Sequence, residues 1–244
     1  MTLAEILDSL FPQGHAVTVT DGLIAGEGPF GGDGASGAGR LAVIGIDGDI
    51  PLGIEGACHL AGRVLDVVRA GGGTPILVLI DSDSQRMSRR DELLGLNEYL
   101  AHLAKGLLLA DAKGHPTLGL LYGHSAAGAF IATALATRVL AALPGAHPSV
   151  MDLPSVARVT KLPLERLEAM ARSTSVFAPG LDNMVRTGAV QAVLDPDEPL
   201  GPQVAALIAD APAADTRDAL GRDRGGRPLA HDIAARVVRE ATGA

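Results

Sequence analysis

The chain has 244 residues, 47% of them apolar and 2% aromatic, with a formal net charge of −8. That length suits one large α/β domain or two small ones, with a core built from Leu, Val, Ile and Ala. Two Tyr, no Trp and a negative charge speak against nucleic acid and anionic membranes as partners, because those need stacking platforms or basic patches.

A single cysteine, Cys58, excludes an internal disulfide and a cysteine-based zinc site. It falls in a predicted helix and is expected to be a small core residue. The start, MTLAEILDSL, carries acids and no basic run, and no apolar stretch reaches membrane-spanning length. The expected location is the cytoplasm, with no membrane partner.

In chain order, Thr2–Leu10 reads as a short surface helix, and Val17–Thr20 alternates like a half-buried strand. Gly26–Gly39 is glycine-rich and reads as a loop. Leu41–Ile46 is a strand closed by the turn residues Asp47-Gly48. Gly53–Ala70 is a helix with Ile54, Leu60, Val64, Val67 and Val68 on one face, ended by three glycines. Pro75–Ile80 is a continuous apolar run that suits a strand covered on both faces.

Asp81–Arg90 reads as a polar loop, and Asp91–Ala110 as a long helix with Leu94, Leu96, Leu100, Leu103 and Leu107 as core candidates. Leu118–Tyr122 is a strand, and Ala129–Val139 an alanine-rich helix. Arg138–Leu143 is a short strand, Leu164–Ala171 a helix and Ala189–Leu194 a late strand. Ala211–Arg227 is the expected flexible connector to a last helix, Leu229–Thr242, with Leu229, Ile233 and Val237 one turn apart. Alternating strands and helices imply an α/β fold with a mainly parallel sheet. The whole of 1–244 is expected to form a single domain. Residues 1–40 hold a helix, a strand and a Gly-rich loop, residues 41–195 the core, and residues 196–244 a helical extension.

The chemistry concentrates at Gly123-His124-Ser125-Ala126-Ala127-Gly128. A strand passing through small residues into a helix leaves backbone N–H groups free for an anion or a developing oxyanion. One reading is the G-x-S-x-G nucleophile elbow of an α/β-hydrolase-like serine esterase, with Ser125 as nucleophile and Asp195 and His231 completing a triad in the right chain order. Ala127 departs from that pattern, and no oxyanion loop precedes it.

The second reading is a carboxyltransferase-type half-site, in which two backbone N–H groups flank a thioester. Asp47-Gly48-Asp49 before a Gly-flanked helix, then P-I-L-V-L-I-D-S, a long helix and the small-residue turn together resemble the C-terminal half of acyl-CoA carboxyltransferases, a crotonase-like fold. Asp81-Ser82-Asp83-Ser84 stands where that family carries D-T-P-G. Ser125-Ala126-Ala127-Gly128 stands where it carries G-S-G-G and keeps only the last Gly. More specific are Tyr122–Phe130, Val150–Lys161 (VMDLPSVARVTK) and Val176-Phe177-Ala178-Pro179-Gly180. Over about Ala42 to Leu194 the chain resembles the gamma subunits of biotin-independent malonate decarboxylases.

The resemblance implies a lyase assembled from unlike subunits. A beta subunit of related fold pairs with this chain, an acyl carrier protein subunit bears a CoA-like prosthetic arm, and an acyl-carrier transferase subunit charges that arm with malonyl. The beta–gamma pair then converts the malonyl thioester to an acetyl thioester and CO2, with no biotin and no cofactor or metal bound by this chain. Site expectations follow from the two loops. The N–H groups around Ala127 and Gly128, and those near Ser84 and Gln85, are the oxygen donors, with Gly123 and Ala126 completing the substrate wall. Ser125 and His124 orient the carboxylate or deliver a proton, a role suited to His near neutral pH. Arg86, Arg89 and Arg90 are the expected carrier-docking cluster. Arg158 and Lys161 offset malonyl charge or face the carrier, or, as the simpler reading, form a solvated basic helix face, and the other histidines read as structural or surface residues. A purely structural role, completing the partner's fold, is a third class. Mutations at the two loops would discriminate it.

Overall fold

The computed structural model describes residues 1–31, 39–175 and 178–243. The expected loop at 32–38 and the motif residues Val176 and Phe177 lie outside them. The elements in chain order are α1 (Leu3–Leu10), β1 (Thr18–Thr20), β2 (Leu23–Phe30), β3 (Gly39–Leu52), α2 (Ile54–Ala70), β4 (Ile76–Gln85), α3 (Arg89–Leu93), α4 (Leu96–Ala112) and β5 (Thr117–Leu121). They continue with β6 (His124–Ala126), α5 (Ala127–Thr133), β7 (Val139–Ala142), β8 (His147–Ser149), α6 (Leu153–Thr160), α7 (Leu164–Ser173), α8 (Leu181–Arg186), β9 (Ala192–Val193), α9 (Leu200–Ala209), α10 (Arg217–Asp223) and α11 (Ala230–Thr242).

Among these residues one sheet runs β1-β2-β3-β4-β5-β7-β9. β1, β2 and β3 are antiparallel, and the ladder from β3 to β9 is parallel. β6 and β8 form a separate parallel pair. The Ile76–Ile80 stretch of β4 shows why the apolar run needs cover on both sides. Its period-2 side chains send Ile76, Val78 and Ile80 to the face under α2, α4 and α5. Leu77 and Leu79 go to the opposite face, under α1 and α9. Gly119 of β5 keeps the first face close-packed, since a Cβ there would press on Leu140 and Thr137.

Several elements differ from the sequence reading. β2 occupies the glycine-rich segment up to Phe30, paired with β3 from Leu23↔Ile46 to Phe30↔Gly39. The glycines serve close approach: a side chain at Gly26 would meet the Ala16–Val17 backbone, and one at Gly28 the Phe11 ring. β3 does not end at Asp47-Gly48. It passes through an irregularity where Gly48 (φ 87°) and Asp49 (φ 53°) are left-handed, and resumes with Ile50↔Ser82. The supposed polar loop Asp81–Arg90 is strand as far as Gln85, because β3 extends alongside it.

The long helix from Asp91 is broken by Gly95 (φ 81°), which leaves Leu94 exposed. The helix expected over Ala129–Val139 stops at Thr133, since Thr137 bonds Ala134 and Val139 carbonyls and Arg138 turns back onto Thr117 and Asp111. The late strand shrinks to Ala192–Val193. α9 falls within the expected helical extension, and α10 occupies the segment expected as a flexible connector. Arg224, next to α10, donates to the carbonyls of Val185, Val190 and Gln191. Cys58 is exposed, not core. No helix of the described residues is long and apolar enough to cross a membrane.

Candidate functional site

The site grows from the strand register. Ile46, Ile80 and Leu121 lie side by side at the end of the continuous β3–β4–β5 ladder. The next three residues on each strand therefore emerge together: Asp47-Gly48-Asp49, Asp81-Ser82-Asp83 and Tyr122-Gly123-His124. The carboxyl ends of parallel strands are where open α/β sheets place ligands.

Asp81 ties the three together. Its Oδ1 accepts the His124 N–H at 2.9 Å and its Oδ2 accepts the Gly48 N–H at 3.2 Å. A Cβ on Gly123 would overlap the Asp81 carboxylate, so only glycine fits there. Tyr122 donates its hydroxyl to Asp47 Oδ1 at 2.7 Å. Burial and the Asp47 carboxylate push the phenol far above the ordinary tyrosine range. His124 Nδ1 lies 3.0 Å from Asp49 Oδ1.

Ser125 points inward. It is fully buried, and its hydroxyl shares a 3.0 Å hydrogen bond with Ser82, also fully buried. It sits in the extended β6 strand, paired with Pro148. The left-handed residue is Ala127 (φ 49°), two positions later, so the chain does not make an elbow at Ser125. The triad expected for an esterase does not assemble: Asp195 caps its own loop at Asp197, and His231 pairs with Asp218. The sequence pattern misled because G-x-S-x-G specifies residue sizes, not the direction of the serine.

The two expected donor loops do meet, in an unexpected way. The Gly128 N–H donates at 2.7 Å to the side-chain oxygen of Gln85, so this donor is engaged within the chain. Gln85 thus acts here through its side-chain carbonyl, as an acceptor. Ser84 Oγ bonds the Gln85 carbonyl. Ala126 lies between the buried Ser125 and the left-handed Ala127.

The basic cluster is largely satisfied internally. Arg90 pairs with Glu55 at 2.6 Å and with Asp91 at 3.3 Å, and Arg86 with Glu55 at 3.3 Å. Asp91 is 1% exposed and also accepts the Ile54 N–H. Arg89 makes no ion pair among the described residues and is exposed. Arg158 and Lys161 lie at the end of α6. The cluster best suited to a metal among the described residues is Asp49, Asp83 and His124, whose ligand atoms lie within 4.8 Å of one another. Asp49 is solvent-exposed, and exposed acidic groups of this kind are common without an ion.

Asp49 and Asp81 were not singled out from the sequence as working residues. The signal was present in three short polar triplets that follow three apolar strands at equal height.

Comparison with known proteins matches this arrangement to a family. The chain is 26% identical over 209 residues to the malonyl-S-ACP:biotin-protein carboxyltransferase MADD of Malonomonas rubra, covering 78% of this chain and 72% of that one. Its fold is similar to one in a Pseudomonas malonate decarboxylase hetero-tetramer in complex with coenzyme A, with a TM-score of 0.76 and 24% identity over 98% of this chain and 97% of that one. The transcarboxylase 12S core is similar over 85% of this chain and 40% of that one, with a TM-score of 0.67 and 15% identity. These are crotonase-like carboxyltransferase folds, as the resemblance to acyl-CoA carboxyltransferases implied. The model of the malonate decarboxylase gamma subunit family matches residues 48–241, and the chain belongs to that family.

Proposed function

We propose that this chain and a beta subunit of related fold together decarboxylate a malonyl thioester carried on an acyl carrier protein, releasing CO2 and an acetyl thioester without biotin. The family match over residues 48–241 carries this reading. A Pseudomonas MdcD-MdcE hetero-dimer of similar fold supports the paired arrangement, and the name of the Malonomonas rubra relative supports a malonyl group on an acyl carrier protein. That relative acts on a biotin protein, so indifference to avidin is the discriminating property here. A transferase subunit charging the carrier and a cytoplasmic setting complete the proposal.

Loss of CO2 alpha to a thioester leaves an enolate, whose oxygen must be met by donors as charge develops. We assign that duty to the turn Gly123–Gly128 facing Ser84 and Gln85. The Gln85 oxygen on the Gly128 N–H occupies the place of a substrate oxygen, and a malonyl oxygen takes it over when the Gln85 side chain swings out. Ala127 and Gly128 offer the N–H groups, with Ala126 beside the malonyl group and Gly123 leaving room for the Asp81 carboxylate that holds the turn. His124 supplies the proton. Ser125, bonded to Ser82, holds the turn from beneath and is not a nucleophile.

Arg89 faces the carrier, with Arg86 and Arg90 drawn in only if they leave Glu55. Arg89→Glu then weakens carrier binding most at low salt, and an unchanged affinity dismisses the docking role.

The test is co-purification followed by reconstitution. The chain with its beta partner and a malonyl-carrier releases labelled CO2, with or without avidin, while the chain alone is inactive. Ester cleavage by the isolated chain, or no CO2 from the assembled complex, overturns the reading.

A further inference from the structure

We infer that Asp49 is a positioning residue that fixes the ring of His124 with Nδ1–H toward its carboxylate and leaves Nε2 as the proton-carrying atom of the site. The inference rests on the decarboxylase reading above for what the proton is used for, and on geometry alone for where it sits.

Both residues are set by backbone, not by loose side-chain contact. His124 is fixed by its N–H on Asp81 and by the β6–β8 pairing His124↔His147. Asp49 follows Gly48, whose N–H is held by the other oxygen of the same Asp81. One carboxylate thus registers both main chains. Asp49 is left-handed (φ 53°), a conformation that Asp tolerates better than most residues. The resulting 3.0 Å contact joins Asp49 Oδ1 to Nδ1. Nε2, across the ring, has no hydrogen bond among the described residues. A carboxylate on one ring nitrogen selects the tautomer and orientation of the other.

Stability does not explain the pair. The Asp49 side chain is 62% exposed and that of His124 37%, and exposed ion pairs of this kind contribute little to folding. What the contact does accomplish is orientation.

The proposed step balances. The malonyl C–C bond breaks, CO2 departs, and the electron pair stays on the two-carbon unit as an enolate. The Nε2–H bond of imidazolium then breaks as the new C–H bond forms. The ring is left neutral with its remaining proton on Nδ1 against Asp49, and water returns a proton to Nε2.

The experiment uses the assembled complex of this chain with its beta subunit. The first readout is 15N NMR of the histidine rings, with His124→Gln identifying the His124 signals. Neutral wild-type His124 is expected as the Nδ1–H tautomer, and Asp49→Asn is expected to lose that preference. The second readout is steady-state CO2 release. Asp49→Asn is expected to lower kcat about tenfold or more with KM little changed, to leave Tm in place, and to add little to the loss in His124→Gln. An Nε2–H tautomer in the wild type, or an Asp49→Asn complex with wild-type kcat, overturns the inference. If the wild-type complex releases no CO2, the decarboxylase reading falls, and the NMR result alone then decides the Asp49 assignment.

Discussion

A hydroxyl pair in a dry core behaves differently from one at a surface. Ser82 and Ser125 satisfy each other where no solvent reaches. Ser125→Ala leaves the Ser82 hydroxyl unpaired, with an expected loss of about 1–3 kcal/mol in urea unfolding. The double substitution Ser82→Ala with Ser125→Ala should recover much of that loss, because it removes both polar groups. A fluorophosphonate probe should leave Ser125 unlabelled. Gly123→Ala forces a methyl into the Asp81 carboxylate, and an overpacking cost of about 1–3 kcal/mol is expected, read as a lower urea midpoint. Tyr122 gives a pH signature. Its folded pKa is raised above its ordinary 10.0, so its contribution is complete below pH 10 and is lost as pH rises beyond it. Stability should fall on the alkaline side in the wild type, and the fall should be smaller in Tyr122→Phe when followed by circular dichroism.

Among the elements, the α3 region shows how two of the three clustered arginines are also held by the chain's own carboxylates. Ser88 caps Asp91, Asp91 caps the start of α2 through Ile54, and two arginines close over them with Glu55. Asp91→Ala should destabilise by about 1–3 kcal/mol in thermal or urea unfolding, since Ile54 loses its acceptor and two guanidinium groups lose a buried partner. The acidic counterpart is Asp215, held below the usual carboxylate range by Arg217. Its contribution is present above the ordinary value of 3.8 and is lost as pH falls beneath it.

The same scale explains what was legible in the sequence. Apolar periodicity located β4, β5, α2 and the tail helix α11 to within a residue or two at their starts, because burial on one face writes itself into spacing. It missed the second half of β4, where Asp81–Gln85 is polar yet paired to the resumed β3. It also ran one helix through Gly95, whose left-handed φ is a property of backbone and leaves no mark on hydrophobic spacing. At the site, the turn Gly123–Gly128 was visible from its small residues. Asp81 and Asp49 were not, because their work is hydrogen bonding between strands that lie more than 30 residues apart in sequence.

For the whole molecule, the sheet divides two apolar layers of different origin. Helices α2, α4 and α5 come from within the strand–helix run and cover one face. The other face is closed by α1 and α9, one from the beginning of the chain and one from beyond residue 199. The two helices are joined where the Leu200 N–H meets Ser9 Oγ at 2.9 Å. Leu200→Ala in that layer should cost about 2–5 kcal/mol, read as a lower melting temperature of the purified chain.

That closure has a consequence for synthesis. A nascent chain that has not yet extruded residues 200–209 has the strands β3, β4, β5 and β7 already available, with Leu77, Leu79, Leu118 and Leu120 on a face only half roofed by α1. Long-range contacts of this kind form late, and the uncovered leucines are sticky meanwhile. A chain still attached to the ribosome before α9 has emerged would therefore present a chaperone client, and a chain truncated before Leu200 should give a larger aggregated fraction than one truncated after Ala211.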